Sequence, residues 1–490
     1  MVSILAAIEQ AARKHPAKTA YQVDQVILTY SDLWHFSDRV AHSIMKLGLQ
    51  RQQPIIVYGH MSPFQIVAFL GAVKAGHPYI PVDSSIPSER LQTIIAASDA
   101  KLLLSTEPLH TNISIPVTAV EDMIAQPSNE PVQPSCWVRD EEIYYIIYTS
   151  GSTGKPKGVQ ITASNLASFV TWMQENFPIQ ESSVFLNQAP YSFDLSVMDL
   201  YPALVGGHTL HAITQEQIAN PKDLFDSLAG SNSTVWTSTP SFAKMCLMNK
   251  EWNQDLMPAL TTFLFCGEVL PPSVVKEIMQ RFPHAGIYNL YGPTETTVAV
   301  SYVKVTEELV DQFEQLPIGP LSNPNISLLE DGEIVISGPT VSAGYLKAPE
   351  LTAKSFQLLN GKRMYKTGDL GYEKDGYLFF SGRKDYQIKL HGYRLETEEI
   401  EKQIGNLPPV SDCVVLPIVK DDEIVSLSTY VVLQEPLTDS AFKMTKQLKS
   451  ALSDYLPSYM IPKTFKYVEA LPLNPNGKVD RKRLAAWETV

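Results

Sequence analysis

The chain has 490 residues, too many for one ordinary hydrophobic core, and this sets an expectation of roughly two to four domains or lobes. A composition of 44% hydrophobic and 19% charged residues excludes a disordered chain and supplies ample apolar surface to bury. With 52 acidic against 39 basic residues, the net charge of −13 argues against nucleic acid or an anionic membrane as a partner for the whole chain, while small anions can still be held locally.

The first fifteen residues, MVSILAAIEQAARKH, place Ile4, Leu5, Ile8 and Ala12 on one helical face. Glu9 and Gln10 interrupt any apolar core of a leader, so a docking helix is expected and not a signal peptide. No apolar run approaches the roughly 18–20 residues needed to span a bilayer, so membrane insertion is not expected. The cysteines Cys136, Cys246, Cys266 and Cys413 are scattered, with no C-x-x-C pair and no histidine at zinc-ligand spacing, which fits reduced thiols in a cytoplasmic enzyme.

Short apolar runs (PIIVYGH, KLLLS, IYYIIY, TTFLFCGE) alternate with segments of helical period (SPFQIVAFLGAVKAG, SVVKEIMQRF), which predicts parallel sheets with crossover helices. Around residues 325–380 the texture changes to ISLLEDGEIVISG and YEKDGYLFFSG. Asp331-Gly332 and Asp375-Gly376 are hairpin signals there, so a small antiparallel sub-domain is expected. Beyond SGRKDYQIKLHG come the helix TEEIEKQIGN, two strand-like runs and the helix KMTKQLKSALSDYL. The boundary is placed near Arg383 to Tyr386, leaving a final domain of about a hundred residues, a common domain size.

Between these elements lies YTSGSTGKPKGV, residues 148–159. One reading is a flexible surface turn; the other is an anion cradle, in which glycines let backbone N–H groups converge on phosphate while Ser, Thr and Lys add donors. It is not a Walker A loop: G-x-x-x-x-G-K-[ST] needs a glycine five positions after Gly151, where Pro156 stands.

The loop has company. LTYSDL and LGAVKAGHPYIPVD precede it, and FDLS (193–196), NLYGPTE (289–295), GEIVISGPTVSAGYL (332–346), YKTGDL (365–370), SGRKDYQIKLHGYRLETEEIE (381–401), LPSYMIP (456–462) and NPNGKVDR (474–481) follow in order. In this order and spacing they closely resemble the core motifs of the adenylate-forming superfamily, which includes acyl-CoA synthetases, luciferases and nonribosomal peptide adenylation domains. The resemblance implies a two-step reaction: a carboxylate displaces pyrophosphate from ATP to give an acyl-adenylate, and a thiol then displaces AMP to give a thioester. It also implies an α/β fold with a large N-terminal AMP-binding domain, residues 1–384, of two parallel-type α/β sub-domains plus a small β sub-domain. A smaller mobile α+β domain, residues 385–490, would follow, with its hinge near Asp385.

Roles carried over from the resemblance are expectations. Thr149, Ser150, Ser152, Thr153 and Lys155 would clamp the β- and γ-phosphates, and Glu295 would be the carboxylate linked to Mg2+. Tyr291 would pack on adenine, with Asn289 and Thr294 of the same motif also at ATP. Asp369 would accept the ribose hydroxyls, with Arg383 reaching the ribose. Lys478 would bridge the substrate carboxylate and the α-phosphate, and Lys389 with Gly392 would serve thioester formation after the second domain rotates. A non-catalytic nucleotide-binding regulator on the same fold would be expected to lack Lys478, Asp369 or Glu295; all three are present.

In amino-acid-activating members the aspartate of the FD motif pairs with the substrate ammonium, and Asp194 stands there. A buried carboxylate with no cation is costly, so this residue favours an amino acid over a fatty or aryl acid. Met198, Cys266 and Val298 fall at pocket positions and imply a very small substrate. The combination resembles one branch of the superfamily, free-standing enzymes that charge a separate phosphopantetheinylated carrier protein with D-alanine for teichoic acid D-alanylation. A stand-alone adenylation enzyme for another small amino acid in peptide natural-product synthesis is the alternative.

Overall fold

Small hydroxyl residues placed just ahead of apolar runs set many of the helix starts. Thr29, Ser62, Thr162 and Thr214 each cap a helix, and the residue three positions on (Asp32, Gln65, Asn165, Gln217) bonds back to the cap's own N–H, so two otherwise orphaned backbone donors are satisfied at each start. The computed structural model describes residues 3–109, 111–127, 130–151, 156–359, 361–420, 423–437, 440–472 and 479–487. The described chain forms two compact units. The larger comprises Met1–Ser84, Ile95–Tyr148 and Gly158–Lys384; the smaller comprises Ser85–Ile94, Thr149–Lys157 and Asp385–Val490.

The larger unit contains three sheets. The first runs in the order Ser301–Val305, Gly286–Tyr291, Thr262–Phe265, Val235–Ser238, Val184–Asn187, Thr209–Ala212, Thr19–Val23 and Val26–Thr29. Its interior pairs are parallel, and its two edge pairs are antiparallel. The alternation of strands and helices predicts the parallel interior. The antiparallel edges come from local reversals that the pattern does not announce, one of them at Asp24, which takes a left-handed φ of 49°. Both faces are covered: Phe185 and Val235 point into one apolar cluster, and their neighbours Leu186 and Trp236 point into another. The helix Ile4–Lys14 buries Ile4, Leu5, Ile8 and Ala12 as its periodicity predicts.

The second sheet follows the order Val117–Ala119, Leu103–Ser105, Ile55–Tyr58, Tyr79–Val82, Ile143–Thr149 and Lys157–Thr162. The third is antiparallel throughout and holds the segments Ile326–Leu328, Glu333–Ser337, Lys362–Lys374 and Tyr377–Arg383. Asp375 and Gly376, with φ of 49° and 82°, make the two-residue turn that the Asp-Gly signal predicts. No helix among the described residues is long and apolar enough to cross a membrane.

In the smaller unit, the strands Val410–Lys420, Glu423–Leu433 and Thr464–Tyr467 form one sheet, and Gln387–Leu390 pairs with Tyr393–Glu396 in a hairpin. Ile400 and Ile404 of the helix Thr397–Gly405 and Leu448 and Leu452 of the helix Ala441–Leu452 share a core with Ile388, Leu395, Val415 and Val431. The whole is a large α/β domain with mixed sheets and a smaller α+β domain.

Candidate functional site

In the larger unit, two long antiparallel strands bring Asp369 directly opposite Arg383. The Arg383 guanidinium donates to Asp369 Oδ1 through Nη1 and to the Thr367 carbonyl at 3.2 Å through Nη2. Tyr291, at the end of the Gly286–Tyr291 strand, donates its hydroxyl to Asp369 Oδ2 at 2.7 Å. Burial foremost, and then the Asp369 charge, push the Tyr291 phenol well above its ordinary range, so it stays a donor. Thr367 Oγ1 accepts from the Asp369 amide at 2.9 Å and donates to the Ile334 carbonyl at 2.7 Å. Asp369 is thus a buried carboxylate whose two oxygens are fixed as acceptors by Arg383 and Tyr291, with its own amide tied to Thr367. Sequence reasoning named Asp369, Arg383 and Tyr291; it passed over Thr367, although that residue lies in the quoted YKTGDL.

Asn289 is buried and ties its amide to the Pro317 carbonyl at 2.8 Å. Thr294 and Glu295 lie in the single turn Thr294–Thr296. Glu295 is fully buried and accepts from the Tyr345 hydroxyl at 2.7 Å, a partner hidden in the GYL end of a quoted motif. Among the described residues no three His, Cys, Asp or Glu side chains gather to hold a metal. One buried carboxylate nevertheless fits Mg2+, which is commonly held by one or two carboxylates together with substrate phosphates and water. Mg2+ bound there would neutralise phosphate charge as it develops.

Immediately after Glu295 the backbone is strained. Thr297 and Val298 take φ of 59° and 72°, and the Ala299 amide bonds the Thr297 carbonyl at 3.0 Å. A positive-φ three-residue turn centred on a β-branched residue is rare and costly. Gly292 makes it possible: a Cβ there would stand 2.6 Å from the Ala299 Cα and 2.8 Å from the Val298 carbonyl oxygen. The turn drives the Val298 side chain into the same apolar cluster as Met198 and Cys266. Asp194 opens the single turn Asp194–Ser196 that leads into the helix Val197–Gly206, and it is half-buried. After burial and Tyr79, the charge of Asp194 is a further cause that pushes up the Tyr145 phenol.

In the smaller unit, Lys389 stands half-buried opposite Arg394 in the Gln387–Glu396 hairpin, whose turn residues His391 and Gly392 have φ of 52° and 83°. The Asp385 carboxylate accepts from the Gln387 amide at 3.3 Å. Ser150 donates to the Arg394 carbonyl at 2.8 Å, and the Gly151 amide reaches Glu399 Oε2 at 3.3 Å, while Arg90 Nη1 meets Glu399 Oε1 at 2.6 Å. Neither Arg90 nor Glu399 carries a signal that links them in sequence. Thr149 Oγ1 is buried without a hydrogen-bond partner among the described residues. Ser152, Thr153, Lys155 and Lys478 lie outside the described residues.

The AMP-binding enzyme family matches residues 8–346, and the AMP-binding enzyme C-terminal domain matches residues 399–478. The chain is 50% identical to a D-alanine–D-alanyl carrier protein ligase of Bacillus cytotoxicus over an alignment of 504 positions that spans all of both chains. It is 49% identical to the protein of the same name from Bacillus mycoides, again over all of both. Among solved structures it resembles an o-succinylbenzoate CoA synthetase of Bacillus subtilis, with a TM-score of 0.85, 21% identity and 98% of each chain covered. It also resembles a Vibrio cholerae adenylation domain in complex with glycyl-adenosine-5'-phosphate, with a TM-score of 0.83, 22% identity, and 99% of this chain and 97% of that one covered. Matched across most of its length and half identical to such relatives from end to end, the chain belongs to the adenylate-forming superfamily of AMP-binding enzymes.

Proposed function

We propose that this enzyme activates D-alanine as D-alanyl-adenylate and transfers the D-alanyl group to the phosphopantetheine thiol of a separate carrier protein, supplying D-alanine for teichoic acids. The observation that carries the reading is the end-to-end identity of about half to ligases named for that reaction. Met198, Cys266 and Val298 share one apolar cluster, and in this reading they are the walls of a small pocket beside a substrate anchored at Asp194.

In the first step a substrate carboxylate oxygen bonds to the α-phosphorus of ATP and the bond to the bridging oxygen breaks, releasing pyrophosphate. Two anions must approach, so the site must supply positive charge and hold the reactants in line. Lys478 takes the position between carboxylate and α-phosphate, and Thr149 to Lys155 takes the outer phosphates. Asp369, with Arg383, orients the ribose, Tyr291 flanks the adenine, and Glu295 is the carboxylate for Mg2+. In the second step the carrier thiol, losing its proton, attacks the acyl carbon, and AMP leaves as the tetrahedral centre collapses. Lys389 and Gly392 serve this step after a rearrangement of the chain beyond Asp385.

ATP–pyrophosphate exchange with a panel of D- and L-amino acids tests the reading, followed by loading of a phosphopantetheinylated D-alanyl carrier. D-Alanine is expected to lead the panel and to appear on the carrier. Stronger exchange with another small amino acid would replace the substrate assignment, and exchange without loading would replace the acceptor.

A further inference from the structure

Tyr345 has no part in the chemistry above, although it touches the carboxylate assigned to Mg2+. Its ring is 4% exposed and stands edge-on to Phe356, with centroids 5.4 Å apart, so packing accounts for the ring but not for the hydroxyl. That hydroxyl donates to Glu295 Oε1 at 2.7 Å. A phenol has one proton to give, and here it goes to Glu295.

The backbone around Tyr345 is tied on three sides. Toward the turn that carries Glu295, the Ser342 amide donates to the Glu295 carbonyl at 2.9 Å, and Thr297 Oγ1 donates to the Thr340 carbonyl at 2.7 Å. Toward the strand Lys157–Thr162, which leads the chain out of the glycine-rich motif, Tyr345 lies antiparallel to Val159. The Leu346 amide meets the Gly158 carbonyl there at 2.8 Å, and the Gln160 amide meets the Gly344 carbonyl at 3.0 Å. On the third side Thr352 Oγ1, on the helix Pro349–Ser355, accepts from the Tyr345 amide at 3.0 Å. Gly344 permits this approach: its φ is 103°, and a Cβ there would stand 2.4 Å from Thr352 Cγ2.

We propose that Tyr345 is a positioning residue for the Mg2+ carboxylate: its hydroxyl fixes the direction of Glu295, and its backbone holds that carboxylate in register with the strand leaving the glycine-rich motif. This rests on the assignment of Glu295 to Mg2+ in the proposed function. A carboxylate whose torsions are already fixed loses less freedom when an ion binds than one that swings. Removing such an outer hydrogen bond from a metal ligand typically weakens metal binding about 10–100-fold.

Two measurements on the full chain test it. In the first, Mn2+ stands in for Mg2+ and α,β-methylene-ATP for the nucleotide, and the free-ion signal in electron paramagnetic resonance gives the Kd of the metal. Tyr345→Phe, which keeps the ring and removes only the hydroxyl, should raise that Kd about tenfold or more. Glu295→Gln should raise it at least as far, and adding Tyr345→Phe to Glu295→Gln should change it little further, because the charge that the bond directs is gone. A Kd within about twofold of wild type in Tyr345→Phe, with Glu295→Gln weakened, would overturn the positioning role. Wild-type Kd values in both single variants would overturn the Glu295 assignment and the proposal with it.

In the second, pyrophosphate exchange is titrated with free Mg2+ at saturating ATP and D-alanine. Tyr345→Phe should need about tenfold more Mg2+ for half its maximal rate, with KM for D-alanine within about twofold of wild type. A lower rate at an unchanged Mg2+ requirement is what a merely structural loss would give, and it would overturn the proposal. If Tyr345→Phe does not fold, Thr352→Val decides in its place: it keeps the ring and hydroxyl, releases the Tyr345 amide, and should raise the Mn2+ Kd, an unchanged Kd overturning the proposal. Absence of D-alanine-dependent exchange in wild type would strike the proposed substrate instead, with the Mn2+ arm still readable.

Discussion

Two surfaces of the larger unit are held in place by opposite means. Asp369 is held by directed polar bonds: to Arg383 on the opposing strand, to Tyr291 of another sheet, and through its amide to Thr367 two residues away. Around Met198, Cys266 and Val298 the placement comes from packing and from a strained turn, with Gly292 making way for Val298. Under the proposed function the first meets a ribose, whose fixed hydroxyls demand acceptors at set positions, and the second a methyl group, which offers nothing but shape. Polar placement should therefore fail through lost charge partners, and apolar placement through lost selectivity.

The largest effect should follow Asp369→Ala. It removes the carboxylate to which the Arg383 guanidinium and the Tyr291 hydroxyl both donate, and breaking one side of a buried ion pair costs about 3–5 kcal/mol. Urea unfolding should show that loss, and exchange at fixed ATP should collapse with it. A loss under about 1 kcal/mol would mean that solvent already screens the cluster.

Glu295→Gln comes next and separates chemistry from stability. Glutamine can still accept from the Tyr345 hydroxyl, so the unfolding midpoint should hardly move, but it cannot neutralise a cation. Adenylation should fall about a hundredfold, the scale for losing one preorganised electrostatic partner. A variant with normal exchange and normal Mg2+ dependence would leave Glu295 a structural acceptor for Tyr345.

On the apolar side, Cys266→Ala should act on discrimination. If the sulfur occupies the direction that the L-methyl group would take, its removal admits L-alanine and narrows the D-over-L ratio of kcat/KM by roughly 1–3 kcal/mol. D-Alanine turnover should change little. An unchanged ratio in a folded, ATP-binding variant would transfer the selectivity to Met198 and Val298.

The same contrast explains what the sequence made legible. Asp-Gly turns and apolar periods act locally, so the antiparallel sub-domain and helices such as Ile4–Lys14 can be read directly, and Asp369, Arg383 and Tyr291 stand inside quoted motifs. Long-range partners leave no such mark. Arg90 finds Glu399 more than three hundred residues away, and Lys384 reaches Glu333 across the β sub-domain at 2.9 Å. The left-handed φ of Val298 is illegible for a different reason, since valine is among the residues least suited to it and only the partner space at Gly292 betrays it. Asp199 lies three positions after the quoted FDLS, yet nothing in the sequence tells a buried acid from an exposed one.

The smallest effect sharpens the comparison most. Val298 gains about 1.5–3 kcal/mol from burial of its side chain but spends about 1–2 kcal/mol on its positive φ. Val298→Gly removes both terms and adds only the glycine's extra chain entropy, about 0.5–1 kcal/mol, so the net loss should be about 1–2 kcal/mol. Val303, buried in the strand Ser301–Val305 and absent from the positive-φ residues, carries no strain to release. Val303→Gly should therefore cost about 2–4 kcal/mol, visibly more than the same change five residues earlier. Parallel urea titrations of the two variants measure the difference. Equal costs would show that the Val298 turn stores no strain, and the apolar wall would then be held by packing alone.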